Sequence, residues 1–487
     1  MPPSPAYRPS TRHAALGQDF FDAVAAADFP RHILRHRNQG WAGRVGLEGL
    51  TDDEWISHFG QFAPLPGSFP APLALRYHGH QFRSYNPDLG DGRGFLFAQL
   101  HDAKDGRLLD LGTKGSGTTP YSRAGDGRLT LKGGVREVLA TAMLEAQGVN
   151  TSKSFSLIET GERLHRGDEP SPTRSAVLVR LNHSHIRIGS FQRLAALGET
   201  ENIARLVDHC ITTYFPTAWS DDPAERVLNF FTGVVGRVAR TGAQWMAAGF
   251  VHGVLNTDNI NITGESFDYG PWRFLPTYDP KFTAAYFDHS GLYAYGRQPE
   301  TLVWNLARLA ECLLPFVEKT ALEEALDPFW NQLQSAFGAA IINRLGLSSR
   351  GDAADRALAR EMVGFLRDSQ APFEQSFFDW IGGLASAGRA AKSPSAAFYQ
   401  SAAFAPMREM LADFSPSPTV DLASPILQRA QAVTLLIDDV EALWAPIAER
   451  DDWQAFAAKL ADIAEVSRTL GNDLIAESRI KDYSVIR

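Results

Sequence analysis

Two short stretches near the middle of the chain hold residues able to bind a metal ion and to take a proton. The first runs His252-Gly253-Val254-Leu255-Asn256-Thr257-Asp258-Asn259-Ile260-Asn261-Ile262, and the second is Phe267-Asp268-Tyr269-Gly270. An Asp-Asn pair followed by another Asp offers oxygen ligands. Hard cations such as Mg²⁺ take carboxylate and amide oxygens and leave positions for water and substrate phosphates. The apolar flanks, Phe250-Val251 before and Ile260 with Ile262 after, predict short strands that hold the polar side chains at a loop. That combination suits phosphoryl or nucleotidyl transfer. The same Asn-Thr-Asp-Asn composition also suits an ordinary turn, since Asn and Asp bond their own backbone and tolerate left-handed conformations.

The first stretch has the frame of a protein-kinase catalytic loop, with His252 and Asn259 at the spacing kinases use for His and Asn. The position of the kinase's catalytic Asp, however, is Val254, which accepts no proton. The nearest carboxylate is Asp258, so the chemistry has been rearranged within the loop.

The elements that would position these residues lie on both sides. Phe95 to Leu100 and Leu108 to Leu111 flank Ala103-Lys104-Asp105-Gly106, the pattern of a β-hairpin with an Asp-Gly turn, and Lys114 follows the second strand. Gly115 to Arg128 is a Gly-rich polar loop whose N–H groups suit phosphate oxygens, though many such loops only face solvent. Val135 to Ala146 has helical periodicity and ends at Gly148, which puts Glu137 in the first turns. A strand Lys followed by a helix Glu is the ion pair with which kinase-like folds hold a Lys on nucleotide phosphates; the alternative is a surface pair contributing ~0–1 kcal/mol.

Ser175 to Leu181 is strand-like and is followed by Ile186-Arg187-Ile188-Gly189. Arg180 and Arg187, in this semi-apolar setting, need partners. Phosphate fits the guanidinium fork, and a buried carboxylate is the alternative. From Thr200 the chain reads as mostly helical, with helices over 224–249, 299–317, 353–367 and 373–387, a linker at 415–419, and two closing helices within 426–470. Residues 18–60 mix helical patterns with polar turns, and 250–251 with 260–262 supply the short strands.

Composition narrows the class. With 487 residues, 44% hydrophobic and 21% charged, the chain is globular and long enough for two or three lobes. A formal charge of −9 argues against nucleic acid or an anionic membrane as partner, so any phosphate site is a local concentration of Lys and Arg. Cys210 and Cys312, in apolar helical stretches, read as buried thiols. No apolar run reaches the ~18 residues of a membrane span, and residues 1–16 lack the apolar segment of a secretory signal; the expectation is a cytoplasmic monomer. A β-rich first part, residues 1–190, and a helical second part, 191–487, make an α+β arrangement with ligand expected between lobes.

The collected stretches resemble one family, the selenoprotein O (YdiU) family of protein adenylyltransferases, which have a protein-kinase-like bilobal fold. The matching residues include Tyr77-His78-Gly79-His80-Gln81-Phe82, Leu89-Gly90-Asp91-Gly92-Arg93, Lys114-Gly115-Ser116-Gly117, Thr119-Pro120-Tyr121-Ser122-Arg123, Gly125-Asp126-Gly127-Arg128, Arg136-Glu137, Ser184-His185-Ile186-Arg187 and both central stretches. The resemblance implies that Lys114 and Glu137 clamp the nucleotide and that Gly90, Gly92, Arg93, Asp126, Gly127, Arg180, Arg187 and Asp268 line an ATP site. It implies Asp258 as base, and Asn259 with Asp268 as ligands of Mg²⁺, with Mn²⁺ as the alternative metal. It further implies ATP bound flipped relative to kinases, with AMP passing to a Ser, Thr or Tyr hydroxyl of a protein, the chain itself among the candidates. Two other readings stay open beside it, a γ-phosphoryl transferase and an inert nucleotide-binding scaffold. Many relatives end in a cysteine or selenocysteine tail; this chain ends Tyr483-Ser484-Val485-Ile486-Arg487 without one, so redox control through the tail is not expected.

Overall fold

The computed structural model describes residues 4–167 and 169–472, and the backbone of 478–479; the cysteine-free end at 480–487 lies outside the described residues. Its centre is a pair of long strands, Lys153–Leu164 and Thr173–Asn182, whose apolar runs are buried over most of their length. They pair antiparallel, with Leu157 opposite Leu178 and Ile158 opposite Val177. Because successive side chains point to opposite faces, Leu157 and Leu178 join one core, with Val135 and Leu139 of the Leu131–Ala146 helix. Ile158 and Val177 join the other, with Trp55 and Phe59. The sheet is thus covered on both sides.

From one edge the strand order is Ser478–Arg479, Ile33–Asn38, Lys153–Leu164, Thr173–Asn182, Leu108–Lys114, Leu96–His101, Leu73–Leu75 and Phe21–Ala23. Pro9–Ser10 adds to Leu96–His101, and Leu129–Thr130 to Thr173–Asn182. The expected hairpin is present, with Leu100 opposite Leu109, and Lys114 is the last residue of its second strand. Thr130 caps the Leu131–Ala146 helix by accepting a bond from the Gly133 N–H, which satisfies one of the donors a helix start leaves free.

Beyond residue 188 the chain is helical. Pro223–Ala247 packs on Gln298–Leu313 and Phe329–Arg344. A separate core forms around Met362, Phe365, Trp380 and Phe404. The closing helices, Ile437–Arg450 and Gln454–Thr469, return to the Leu131–Ala146 helix. The class is α+β. Cys210 and Cys312 are buried free thiols, and no helix among the described residues is long and apolar enough to cross a membrane.

After the Thr173–Asn182 strand, Arg187 makes one bridge to Asn261 and a helix, Ile188–Ala196, starts at once. Two local expectations change. Ile260 and Ile262 are not a strand; Phe250–Val251 pairs instead with Arg273–Phe274, and Thr257–Asn259 forms a single 3₁₀ turn. The helix beginning at Phe373 stops at Asp379, because the chain turns at Gly382 and Gly383, both with positive φ.

The buried histidines give this fold an acid sensitivity. Burial holds His13 and His36 down at about 4, and His183 and His209 at about 3, against an ordinary 6.5. Below about 6.5 the unfolded chain binds protons at these four sites that the folded chain refuses, so their contribution to stability is lost as pH falls. Burial also raises Glu145 to about 7 and Asp258 to about 6, and lifts Asp91 and Glu265, which acts in the opposite sense, but burial lowers five further histidines as well, His32, His78, His80, His185 and His252, so the lowered groups outnumber the raised ones. Stability therefore drops on acidification, by up to ~1.4 kcal/mol per pH unit for each proton of imbalance. The urea midpoint should be lower at pH 5 than at pH 7; an equal or higher midpoint at pH 5 would contradict the account.

Candidate active site

The end of the Leu108–Lys114 strand, the loops 90–94 and 115–128, and the two central stretches surround a cavity of about 620 Å³. Its wall is polar because the backbone there is loop and its side chains are ionic. Seven cationic side chains, Arg93, Lys114, Arg123, Arg128, Arg166, Arg180 and Arg187, face four acidic ones, Asp91, Asp126, Asp258 and Asp268. In a chain of charge −9, this is a local positive excess.

A mostly buried ionic network closes the deep end, with the Asp268 carboxylate 26% exposed at the cavity wall. Lys114 Nζ lies 2.6 Å from Glu137 Oε2 and 2.9 Å from Asp268 Oδ1. Arg180 Nη1 lies 3.1 Å from the same Asp268 oxygen and 3.3 Å from Glu137 Oε1. The Lys114 and Glu137 side chains are 5% and 0% exposed, which excludes the solvent-screened surface pair. Arg187 reaches Asp91 at 3.1 Å and the Asp258 carbonyl at 3.2 Å, with its guanidinium over the rings of Tyr77 and Phe267. Both arginines therefore take carboxylates as partners, yet each keeps a buried Nε–H without an acceptor.

Burial works to raise Asp268, but Lys114, Arg180, Arg187 and Arg93 together outweigh it and hold the carboxyl well below its usual range. Asp258 differs in balance. Burial pushes it up to about 6, with Arg187 opposing and the Asp268 charge adding to the rise, and its Oδ1 is buried without a hydrogen-bond donor. A carboxylate with one unpartnered oxygen and an elevated pKa is suited to accept a proton.

The two central stretches are held together through His252, whose Nε2 meets the Phe267 carbonyl at 3.0 Å. The hairpin of Gly79–Gln81 and Ser84–Asn86 lies against the loop, where the His80 N–H donates to Thr257 Oγ1 at 2.7 Å. A Cβ on Gly79 would stand 3.0 Å from Asp258 Oδ1, so this glycine lets the hairpin sit against the carboxylate.

Gly90 and Gly92 line the cavity, and their missing side chains serve loop-to-loop contact. A Cβ at Gly90 would lie 2.2 Å from the Tyr121 ring, and one at Gly92 would lie 2.7 Å from the Tyr121 carbonyl. Ser122 Oγ donates to the Gly92 carbonyl, and Thr119 Oγ1 to that of Asp91, each at 2.5 Å. Gly127, at φ +68°, closes the second loop against Gly117.

Of the expected site residues, Gly90, Gly92, Arg93, Lys114, Asp126, Gly127, Arg180, Arg187, Asp258 and Asp268 all line the cavity, with Glu137 behind Lys114. Asp126 sits at the rim in an ion pair with Arg166 at 2.9 Å. Asn259 is half-buried, donates its Nδ2 to the Val254 carbonyl at 3.0 Å, and is not part of the cavity wall. The structure adds Tyr77, Asp91, Arg123 and Arg166 to the lining. Arg123, like Arg93, forms no ion pair among the described residues; the cavity's free cations are loop residues that periodicity does not single out.

Comparison with known proteins identifies the family. The family model described as Protein adenylyltransferase SelO matches residues 6–464. A protein nucleotidyltransferase YdiU of Synechocystis is 47% identical over 91% of this chain and 94% of its own length. Proteins of the same name from Gloeobacter violaceus and Trichodesmium erythraeum are 46% and 43% identical, over 91% and 94% of this chain and 92% and 98% of their own lengths. A match over nearly the whole chain places this enzyme in the protein adenylyltransferase SelO family, among the nucleotidyltransferases.

Proposed function

We propose that the chain transfers AMP from ATP to the hydroxyl of a Ser, Thr or Tyr residue on a protein acceptor. The observation that carries this is the pairing of an Asp258 oxygen that has no hydrogen-bond donor with a cleft whose cationic side chains outnumber its acidic ones. In this reading the triphosphate tail runs inward to Lys114, Arg180 and Arg187, opposite to its direction in a kinase. Arg93 and Arg123, without carboxylates of their own, take phosphate oxygens. The α-phosphorus then lies by Asp258. The acceptor oxygen attacks it, the bond to the β-phosphate oxygen breaks, pyrophosphate leaves, and the acceptor proton passes to Asp258. The frame is a two-lobed, kinase-like one divided near residue 190.

Asn259 and Asp268 are the residues that would hold Mg²⁺. Their donor set consists of oxygens, which fits a hard cation whose remaining ligands are water and phosphate oxygens. When bound it would neutralise charge on the phosphates. Asp268, held ionised by its cations, is ready for that role. The ligand atom of Asn259 would be its Oδ1, since its Nδ2 donates to the Val254 carbonyl.

Label transfer tests the reading directly. Incubation with α-³²P-ATP should label protein, whereas label arriving only from γ-³²P-ATP would make the chain a kinase. Asp258→Ala should lower turnover by ~10²–10⁴, the usual worth of a general base, while calorimetry finds ATP affinity changed by less than about threefold. An equal loss in both would make Asp258 a binding residue. Asp268→Ala should abolish transfer and Lys114→Met should weaken it strongly; full turnover in both variants would place the site elsewhere.

A further inference from the structure

The hairpin that backs Asp258 ends in an exposed aromatic tip. Its two turn residues, Phe82 and Arg83, have φ of 49° and 64°, the left-handed region that residues other than glycine, Asn and Asp seldom occupy. The catalytic loop holds this turn in place. The Phe82 N–H donates to Asn256 Oδ1 at 3.2 Å and to the Tyr293 hydroxyl at 3.1 Å, and that hydroxyl donates to the same Asn256 oxygen at 2.7 Å. The ring so displayed is 37% exposed and meets Phe287 at 5.8 Å; Phe287 is 42% exposed and meets Tyr286, itself 76% exposed, at 5.1 Å. Three adjoining exposed rings on a constrained turn mark a contact surface, unlike apolar residues scattered singly.

We infer that Phe82, Tyr286 and Phe287 form the platform on which the acceptor polypeptide lays an apolar side chain while its hydroxyl residue reaches Asp258. The inference rests on the proposed transfer to protein, and it names the acceptor's chemistry. The platform is continuous with the acceptor's route: the deep side of the cleft is closed by the Lys114–Glu137 pair, while Gly79 touches Asp258 and the hairpin leads from there to the open tip. Phe82 lies three positions beyond Gly79, roughly 10 Å at a strand's rise of ~3.3 Å per residue. An extended acceptor would therefore place its apolar residue about three positions from the modified hydroxyl. Charge does not select at this point, because Arg83 is taken up by Glu300 at 3.5 Å and by the face of Trp304.

The test is a positional peptide array with a central Ser, Thr or Tyr and every residue type scanned to four positions on either side, incubated with Mg²⁺ and α-³²P-ATP. Labelling should favour Phe, Tyr, Leu, Ile or Met over Gly or Asp about tenfold at a position near three. Tyr286→Ser with Phe287→Ser, both exposed, should flatten that preference while ATP affinity by calorimetry stays unchanged. Phe82→Asn should do the same, since Asn tolerates the left-handed turn and removes only the ring. Absence of any flanking preference, a preference surviving all three substitutions, or self-labelling with every peptide unlabelled would each overturn the platform. So would substitutions that shift the sedimentation of the chain and leave the peptide preference intact, because the face would then join two copies. Label carried only from the γ-position would instead refute the proposed transfer itself.

Discussion

Charge buried at the foot of the cleft is the constraint from which the rest of the site follows. Lys114, Glu137, Arg180 and Asp268 come from two sheet strands, the helix packed beneath them and the loop after His252, and they share one set of short contacts. Removing one partner from such a set leaves an uncompensated charge in a low-dielectric setting and costs ~3–5 kcal/mol. The network therefore locks four segments in register. It contributes little net stability relative to an apolar core, so its retention is best understood through what it presents to the cleft: a lysine and an arginine held in fixed positions beside an ionised carboxylate.

The two acidic residues of the central stretches show how position alone divides roles. Asp268 lies among four cations and is held ionised; Asp258, two loops away, has mainly burial and one opposing arginine, and its carboxyl is raised. One is a stable anion and the other a carboxyl whose charge is easily lost. The glycine-rich loops serve the same economy of space. Gly90 and Gly92 admit the Tyr121 segment so closely that a methyl group would collide with it, and that approach brings Arg123 to the cavity wall. A side chain at either position would displace the cation before it touched a ligand.

Legibility in the sequence followed the range of the interactions. The hairpin with its Asp-Gly turn, the Leu131–Ala146 helix and the Lys114–Glu137 pair were readable because turn chemistry and periodicity are local signals. The family resemblance then assembled residues that no spacing rule connects, such as Arg93 with Asp258. What stayed hidden was non-local. Lys153–Leu164 is a central strand, but its serines and a run of buried residues on both faces carry no alternation. The Arg187–Asn261 bridge likewise joins segments far apart in sequence, and no local signal marks it.

Asn259 shows what a motif leaves out. The amide of Asn259 secures the loop by bonding to Val254, the very position where a kinase would carry its base. The carboxylate of this loop stands instead at 258, where the Gly79 hairpin packs against it. The hairpin then serves two ends at once: it excludes water from one side of Asp258, raising its pKa, and it carries the chain out to the Phe82 turn at the open side of the cleft. The surroundings of Asp258 and the exposed Phe82 turn are consequently joined by a single short element, so that neither can be moved without moving the other.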